Sequence, residues 1–251
     1  FRRDLVDKVR ALGRSVRMRG NIASRTVAKS QNGGVVHTRS QGGPYGSAPI
    51  ALRKPGKLSP HIICVGSSTG GPQALFKLFG AIGGKVKQPV LITQHMPATF
   101  TKILAEHLNR IDGVDCIEAT DRTKIQDGHV YLAPGDYHMV VENNPTGNIL
   151  RLNQDAQENF CRPSVDPMLR SAVVAYGERV LTVVLTGMGH DGLSGSQGVA
   201  ERGGTIIAQD EGSSVVWGMP GAVATGGLCS AVLPIDDIGP SVIRFARGGG
   251  L

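Results

Sequence analysis

From residue 61 onward the chain alternates short, nearly unbroken apolar blocks with segments whose apolar residues recur every three or four positions. The blocks at 61–67, 89–94, 116–119, 179–186, 205–209 and 231–233 predict strands. The segments at 72–79, 98–109, 164–176, 193–202 and 238–246 predict helices. Blocks at 130–133, 137–142 and 149–152, separated by Pro134-Gly135 and by residues 143–147, predict short antiparallel pieces. Strands that are apolar on both faces and alternate with helices imply an α/β fold, with a mostly parallel sheet covered by helices on both faces. Such sheets place ligands at the carboxyl ends of their strands.

The first 57 residues follow a different pattern. Residues 1–12 carry apolar side chains at 1, 5, 9 and 12, a single helical face too short to stand alone. Residues 13–57 are rich in Gly, Ser, Arg and Pro, show no sustained period, and read as a flexible linker. An ordered domain over 58–251 is therefore expected, preceded by a basic linker over 13–57 and by a helix at 1–12 left over from an upstream domain.

Charge sharpens this division. Residues 1–57 hold thirteen Lys and Arg against two acids, and the remainder holds fourteen against eighteen, so the net charge of +7 belongs to the arm. Aromatic residues are too few there for base stacking. The arm reads as solvated, and no nucleic-acid partner is expected. No apolar run approaches the roughly 18 residues of a membrane span, and the N-terminal stretch lacks the apolar core of a signal peptide. Cytoplasmic location without membrane insertion is expected. The four cysteines Cys64, Cys116, Cys161 and Cys229 form no CxxC pair, and Cys64 and Cys229 read as small buried apolar residues.

Three strand-to-helix junctions carry candidate chemistry. Gly66-Ser67-Ser68-Thr69-Gly70-Gly71 fits G-x-S-x-G with Ser68 at its centre, on a turn that would lift a hydroxyl clear of the sheet. A tight turn whose Ser and Thr only cap the helix explains the same residues. Gln94-His95-Met96-Pro97 closes the next predicted strand and puts His95 where it could take a proton from Ser68. Thr186-Gly187-Met188-Gly189-His190-Asp191-Gly192 follows a third strand and offers Asp191 as the carboxylate that orients His95, with the Met188 N–H facing an oxyanion. Gly187-x-Gly189-x-x-Gly192, with Asp210 farther on, also fits a dinucleotide-binding fingerprint and supports a nucleotide-dependent oxidoreductase as an alternative. That alternative leaves the Ser68 and His95 loops unexplained. A non-enzymatic adaptor, with Ser68 a turn residue, is the other alternative. The histidines are scattered, so no metal or organic cofactor is expected.

Taken together, these loops resemble the catalytic domain of the chemotaxis protein-glutamate methylesterases, the CheB family. The matching stretches are Val65-Gly66-Ser67-Ser68-Thr69-Gly70-Gly71-Pro72, Gln94-His95-Met96-Pro97, Leu132-Ala133-Pro134-Gly135, Arg162-Pro163-Ser164-Val165-Asp166, Leu185-Thr186-Gly187-Met188-Gly189 with Asp191-Gly192, and Gly218-Met219-Pro220. The resemblance implies a doubly wound α/β domain with a small antiparallel edge. It implies hydrolysis of glutamate methyl esters on the cytoplasmic helices of methyl-accepting chemoreceptors, releasing methanol, with glutamine deamidation in some relatives. By the same resemblance Ser68 is the nucleophile, His95 the general base and Asp191 the orienting carboxylate, and Thr69 and Met188 stabilise the oxyanion. Relatives carry an upstream receiver domain, phosphorylated by a histidine kinase, that blocks the site until it is modified. Residues 1–12 are then its last helix. His190 stands where the family commonly has asparagine.

Overall fold

The computed structural model describes residues 50–249. The helix expected at 1–12 and most of the linker expected at 13–57 lie outside them. The elements in chain order are β1 (Ile62–Ser67), α1 (Gly71–Ile82), β2 (Val90–Gln94), α2 (Ala98–Leu108), β3 (Asp115–Glu118), β4 (His129–Leu132), β5 (His138–Glu142), β6 (Ile149–Asn153), α3 (Val165–Tyr176), β7 (Val180–Val184), α4 (Leu193–Glu201), β8 (Thr205–Gln209), α5 (Met219–Thr225), β9 (Ala231–Leu233) and α6 (Ile235–Ala246).

Seven strands form one sheet in the order β3-β4-β2-β1-β7-β8-β9, and every pairing is parallel. The period-2 alternation of the interior strands divides their side chains between two cores. Ile63 and Val65 of β1 pack with Leu75, Leu78 and Phe79 of α1, Leu104 of α2 and Val242 of α6. Ile62 and Cys64 face the other way, toward Met168 and Leu169 of α3, Val199 of α4 and Val223 of α5. Full burial of a leucine such as Leu75 or Leu78 contributes about 1.5–3 kcal/mol, so a few such contacts fix α1 despite Gly71 and Gly80. The β5–β6 hairpin is antiparallel and forms a separate two-stranded sheet. Its Met139, Val141 and Leu150 join the α3 core.

The structure departs from the expected elements at three places. The block at 130–133 was expected as an antiparallel piece, but β4 is a parallel strand of the main sheet between β3 and β2. Val130, Tyr131 and Leu132 are all buried, and that unbroken burial is the mark of an interior parallel strand. Helix α5 was not expected at all. It has seven residues, opens on Met219-Pro220 and contains Gly221, so it is too short and too poor in helix formers to show a period. The start of α6 at Ile235 was also hidden, because Pro240 lies inside the helix.

Residues 50–57 run without regular structure but are tied to the domain. The Arg53 guanidinium donates to Gly204 O at 2.7 Å and Ala200 O at 2.9 Å, the Arg53 N–H to Cys229 O at 2.9 Å, and the Gly56 N–H to Thr205 Oγ1 at 2.9 Å. Among the described residues no helix is long and apolar enough to cross a membrane.

Candidate active site

Strand β1 is the centre of the sheet and its topological switch point, with β2 and β7 on either side. The chain leaves β1 at Ser68, whose N–H donates to Thr186 O at 3.0 Å and whose carbonyl accepts from the Gly71 N–H at 2.7 Å. This turn needs Gly70, whose φ of +81° disfavours a side chain, and Pro72 then starts α1. Ser67 and Ser68 point to opposite sides. Ser67 is fully buried and donates its hydroxyl to Gln94 Oε1 at 2.7 Å. Ser68 is partly exposed and, with Thr69, His95, Met96, Phe76 and Phe100, lines a groove of about 480 Å³ between α1 and α2.

His95 leaves the neighbouring strand β2, its N–H donating to Ser67 O at 3.0 Å. The Gln94 amide joins the two junctions, donating to Ser68 O and to His95 O at 3.0 Å each. The imidazole Nε2 lies 2.6 Å from Asp191 Oδ2, and Nδ1 lies 3.4 Å from Cys161 Sγ. With Nε2–H donating to Asp191, Nδ1 accepts from the Cys161 thiol. Among the described hydrogen bonds none joins the Ser68 hydroxyl to His95. The structure thus brings His95 and Asp191 into contact and places Ser68 in the same groove without a hydrogen bond to the base.

Asp191 is almost completely enclosed. Besides His95, its carboxylate accepts from the Ser164 hydroxyl at 2.7 Å, Asn159 Nδ2 at 2.9 Å, and the backbone N–H groups of Val165 (2.7 Å), Gly192 (2.9 Å) and Asp166 (3.1 Å). Val165 and Asp166 open α3, so the carboxylate also sits at the positive end of that helix. Burial alone would raise its pKa, but His95 and these donors outweigh that effect and hold it below the usual carboxylate range. Burial works against a charge on His95 too, yet the bond to Asp191 prevails and raises it to about 9. Asp166 is shifted upward, first by burial and also by the nearby Asp191 charge, although the Gly195 N–H and Asn159 stabilise it.

Gly187 packs against the Ser68 turn because it has no side chain. A Cβ there would collide with Met219 Sδ and stand 2.9 Å from Ser68 Cβ and 3.1 Å from Ser68 N. Neither the Thr69 nor the Met188 N–H has a partner among the described hydrogen bonds; Thr69 follows Ser68 directly, and Met188 follows the glycine that packs on Ser68. His190 is exposed and makes no described bond to Asp191. The dinucleotide fingerprint is used otherwise: Gly187 closes on Ser68, and Asp210 Oδ1 accepts from the Ser213 N–H and hydroxyl at 3.0 and 2.5 Å. Among the described residues no group of His, Cys, Asp or Glu side chains could hold a metal ion.

Sequence reasoning quoted the stretches containing Gln94 and Ser164 without giving either a role, and missed Asn159 and Cys161. The partners of Ser164 and Asn159 lie 27 and 32 residues away, and that of Cys161 lies 66 away, so no local spacing signals them.

A doubly wound parallel sheet whose switch-point crevice gathers a turn serine, a histidine and an enclosed aspartate defines an α/β protein with a Ser-His-Asp constellation. The family model described as CheB methylesterase matches residues 63–242. The Thermotoga maritima CheB methylesterase catalytic domain superimposes with a TM-score of 0.72 at 37% identity, over 74% of this chain and 99% of that one. The chain is 56% identical to a Rhodospirillum rubrum protein named protein-glutamate methylesterase/protein-glutamine glutaminase 1, and 50% identical to an Azospirillum brasilense protein named protein-glutamate methylesterase/protein-glutamine glutaminase. In each case 98% of this chain is matched, against 65% and 63% of the relative, so the chain spans less than two thirds of their length. The chain belongs to the CheB methylesterase family.

Proposed function

We propose that the chain is a serine hydrolase that removes methyl groups from glutamate methyl esters on the cytoplasmic helices of methyl-accepting chemoreceptors. The observation that carries this reading is the 2.6 Å bond between His95 and the enclosed Asp191, in the crevice that Ser68 lines. Ser68 Oγ attacks the ester carbonyl while its proton passes to His95 Nδ1, the ring nitrogen away from Asp191, which exchanges its Cys161 thiol partner for the Ser68 hydroxyl when substrate binds. The N–H groups of Thr69 and Met188, with the N-terminus of α1, receive the oxyanion. His95 returns the proton to the departing methanol, then takes one from the water that cleaves the acyl-enzyme. Hydrogen bonds of this kind often tighten only with substrate bound, which accommodates the unpaired Ser68 hydroxyl. The same acyl chemistry suits a primary amide, so glutamine deamidation belongs to the proposal. Both activities appear in the names of the Rhodospirillum and Azospirillum relatives.

The proposed setting is the cytoplasm, with an upstream receiver domain phosphorylated by a histidine kinase as regulator. The catalytic domain then begins at the anchored stretch around Arg53, with the basic linker before it. Methanol release from methylated receptor cytoplasmic fragments tests the reading. The parent releases methanol, and Ser68→Ala, His95→Gln and Asp191→Asn each lose most of the rate. A well-folded parent that releases none from several receptors overturns it.

A further inference from the structure

Residues 158–161 form a two-residue β-turn beside the candidate base. The Cys161 N–H donates to Glu158 O at 2.9 Å and the Glu158 N–H to Cys161 O at 3.2 Å. Asn159 and Phe160 have φ of +53° and +61°, the signature of a type I′ turn, whose second position favours glycine. Phenylalanine is a poor choice there, and its side chain is 97% exposed, the most exposed large apolar group among the described residues. The turn is nonetheless held firmly. Glu158 pairs with both terminal guanidinium nitrogens of Arg170, Asn159 bonds Asp191 and Asp166, and Cys161 touches His95. A strained backbone that the surroundings enforce, presenting an apolar ring to water beside reacting groups, points to a function for that ring.

We propose that Phe160 is a docking anchor for the protein substrate, clamping apolar side chains next to the esterified glutamate. This rests on the methylesterase reading. Cys161 Sγ is 3.4 Å from His95 Nδ1, and adjacent Cα atoms are about 3.8 Å apart, which puts the Phe160 Cα within roughly 10 Å of the base. A helix with its side chains is about 10–12 Å across, so a helix delivering an ester to Ser68 overlies Phe160. The groove on which Ser68 opens carries Phe76, Phe100 and Ile103, all exposed, and no carboxylate, lysine or arginine. Its 480 Å³ exceeds what a methyl ester fills, and an apolar substrate face matches both the groove and the ring.

The test compares Phe160→Asn and Phe160→Trp with the parent. Asparagine suits the left-handed backbone, so Phe160→Asn folds and melts about 2–4 °C higher. Its KM for methylated receptor fragments rises about tenfold, with the loss falling on KM rather than kcat, and Phe160→Trp restores it. The same comparison in a Ser68→Ala background, read as binding of the fragment, needs no turnover and so separates this inference from the esterase reading. Weakening of about tenfold supports the anchor. Equal KM and equal binding, or no binding of the fragment to either protein, overturn it. Tighter binding by Phe160→Asn also overturns it, and indicates instead that another part of the protein covers the ring.

Discussion

Replacing Asp191 by asparagine tests the electrostatics of the site more sharply than any other single change. The carboxylate receives six donors, with His95 and the Val165 N–H on Oδ2 and Ser164, Asn159, Gly192 and the Asp166 N–H on Oδ1. An amide can turn either way. With its NH2 toward His95, the buried Val165 N–H loses its acceptor. With the NH2 on the other side, it meets four donors. Breaking a buried, hydrogen-bonded ion pair costs about 3–5 kcal/mol. The pH linkage gives a second route to the number. His95 is raised from 6.5 to about 9 in the folded protein, and at 1.36 kcal/mol per pH unit this corresponds to about 3 kcal/mol, most of it owed to Asp191.

The sign of each contribution sets a window. A raised histidine stabilises fully below its unfolded pKa of about 6.5 and loses that stabilisation as pH rises through about 9. A depressed carboxylate stabilises above its unfolded pKa of about 3.9 and loses it as pH falls. The stability gap between parent and Asp191→Asn is therefore widest near pH 5–6, at about 3–5 kcal/mol, narrows progressively as pH rises from 6.5 to about 9, and narrows again as pH falls below the ordinary carboxylate range. Denaturant titrations at five pH values read it directly, and methanol release at pH 8 should fall about 10⁴-fold. A gap under 1 kcal/mol, or one independent of pH, refutes the account of Asp191 as the charged partner of His95.

Further outcomes follow from the same contacts. Because His95 must be neutral to accept a proton, kcat/KM for ester hydrolysis rises with pH along a limb whose apparent pKa lies well above 6.5, toward about 9. Gly187→Ala forces a methyl group against Met219 Sδ and Ser68 Cβ. It should cost about 1–3 kcal/mol of stability and about 10²-fold in kcat by displacing the crevice, read by thermal melts and methanol release together.

The parts of this structure legible in the sequence are those that local pattern controls. Unbroken apolar blocks revealed the parallel strands, because a strand buried on both faces leaves no room for polar alternation. Small residues after β1 and β7, and the end of the apolar block of β2, marked the carboxyl-end junctions that carry Ser68, Asp191 and His95. What stayed hidden depends on chain segments that are close only after folding. Nothing near Asn159 in the sequence announces a bond to Asp191, and no spacing relates Cys161 to His95 across 66 residues. The β4 strand was misassigned because a four-residue apolar block carries no record of its partner. Its neighbours are set by the crossover through α2 and β3. The same reasoning explains why the Asp191 environment was underestimated. A lone acid after a strand reads as one hydrogen-bond acceptor. Folding places the start of α3 against it, supplying two backbone N–H groups and a helix dipole that keep the carboxylate charged while buried. The helix that begins at the Ser164-Val165-Asp166 stretch is thus part of the site, holding the acid that in turn holds the base.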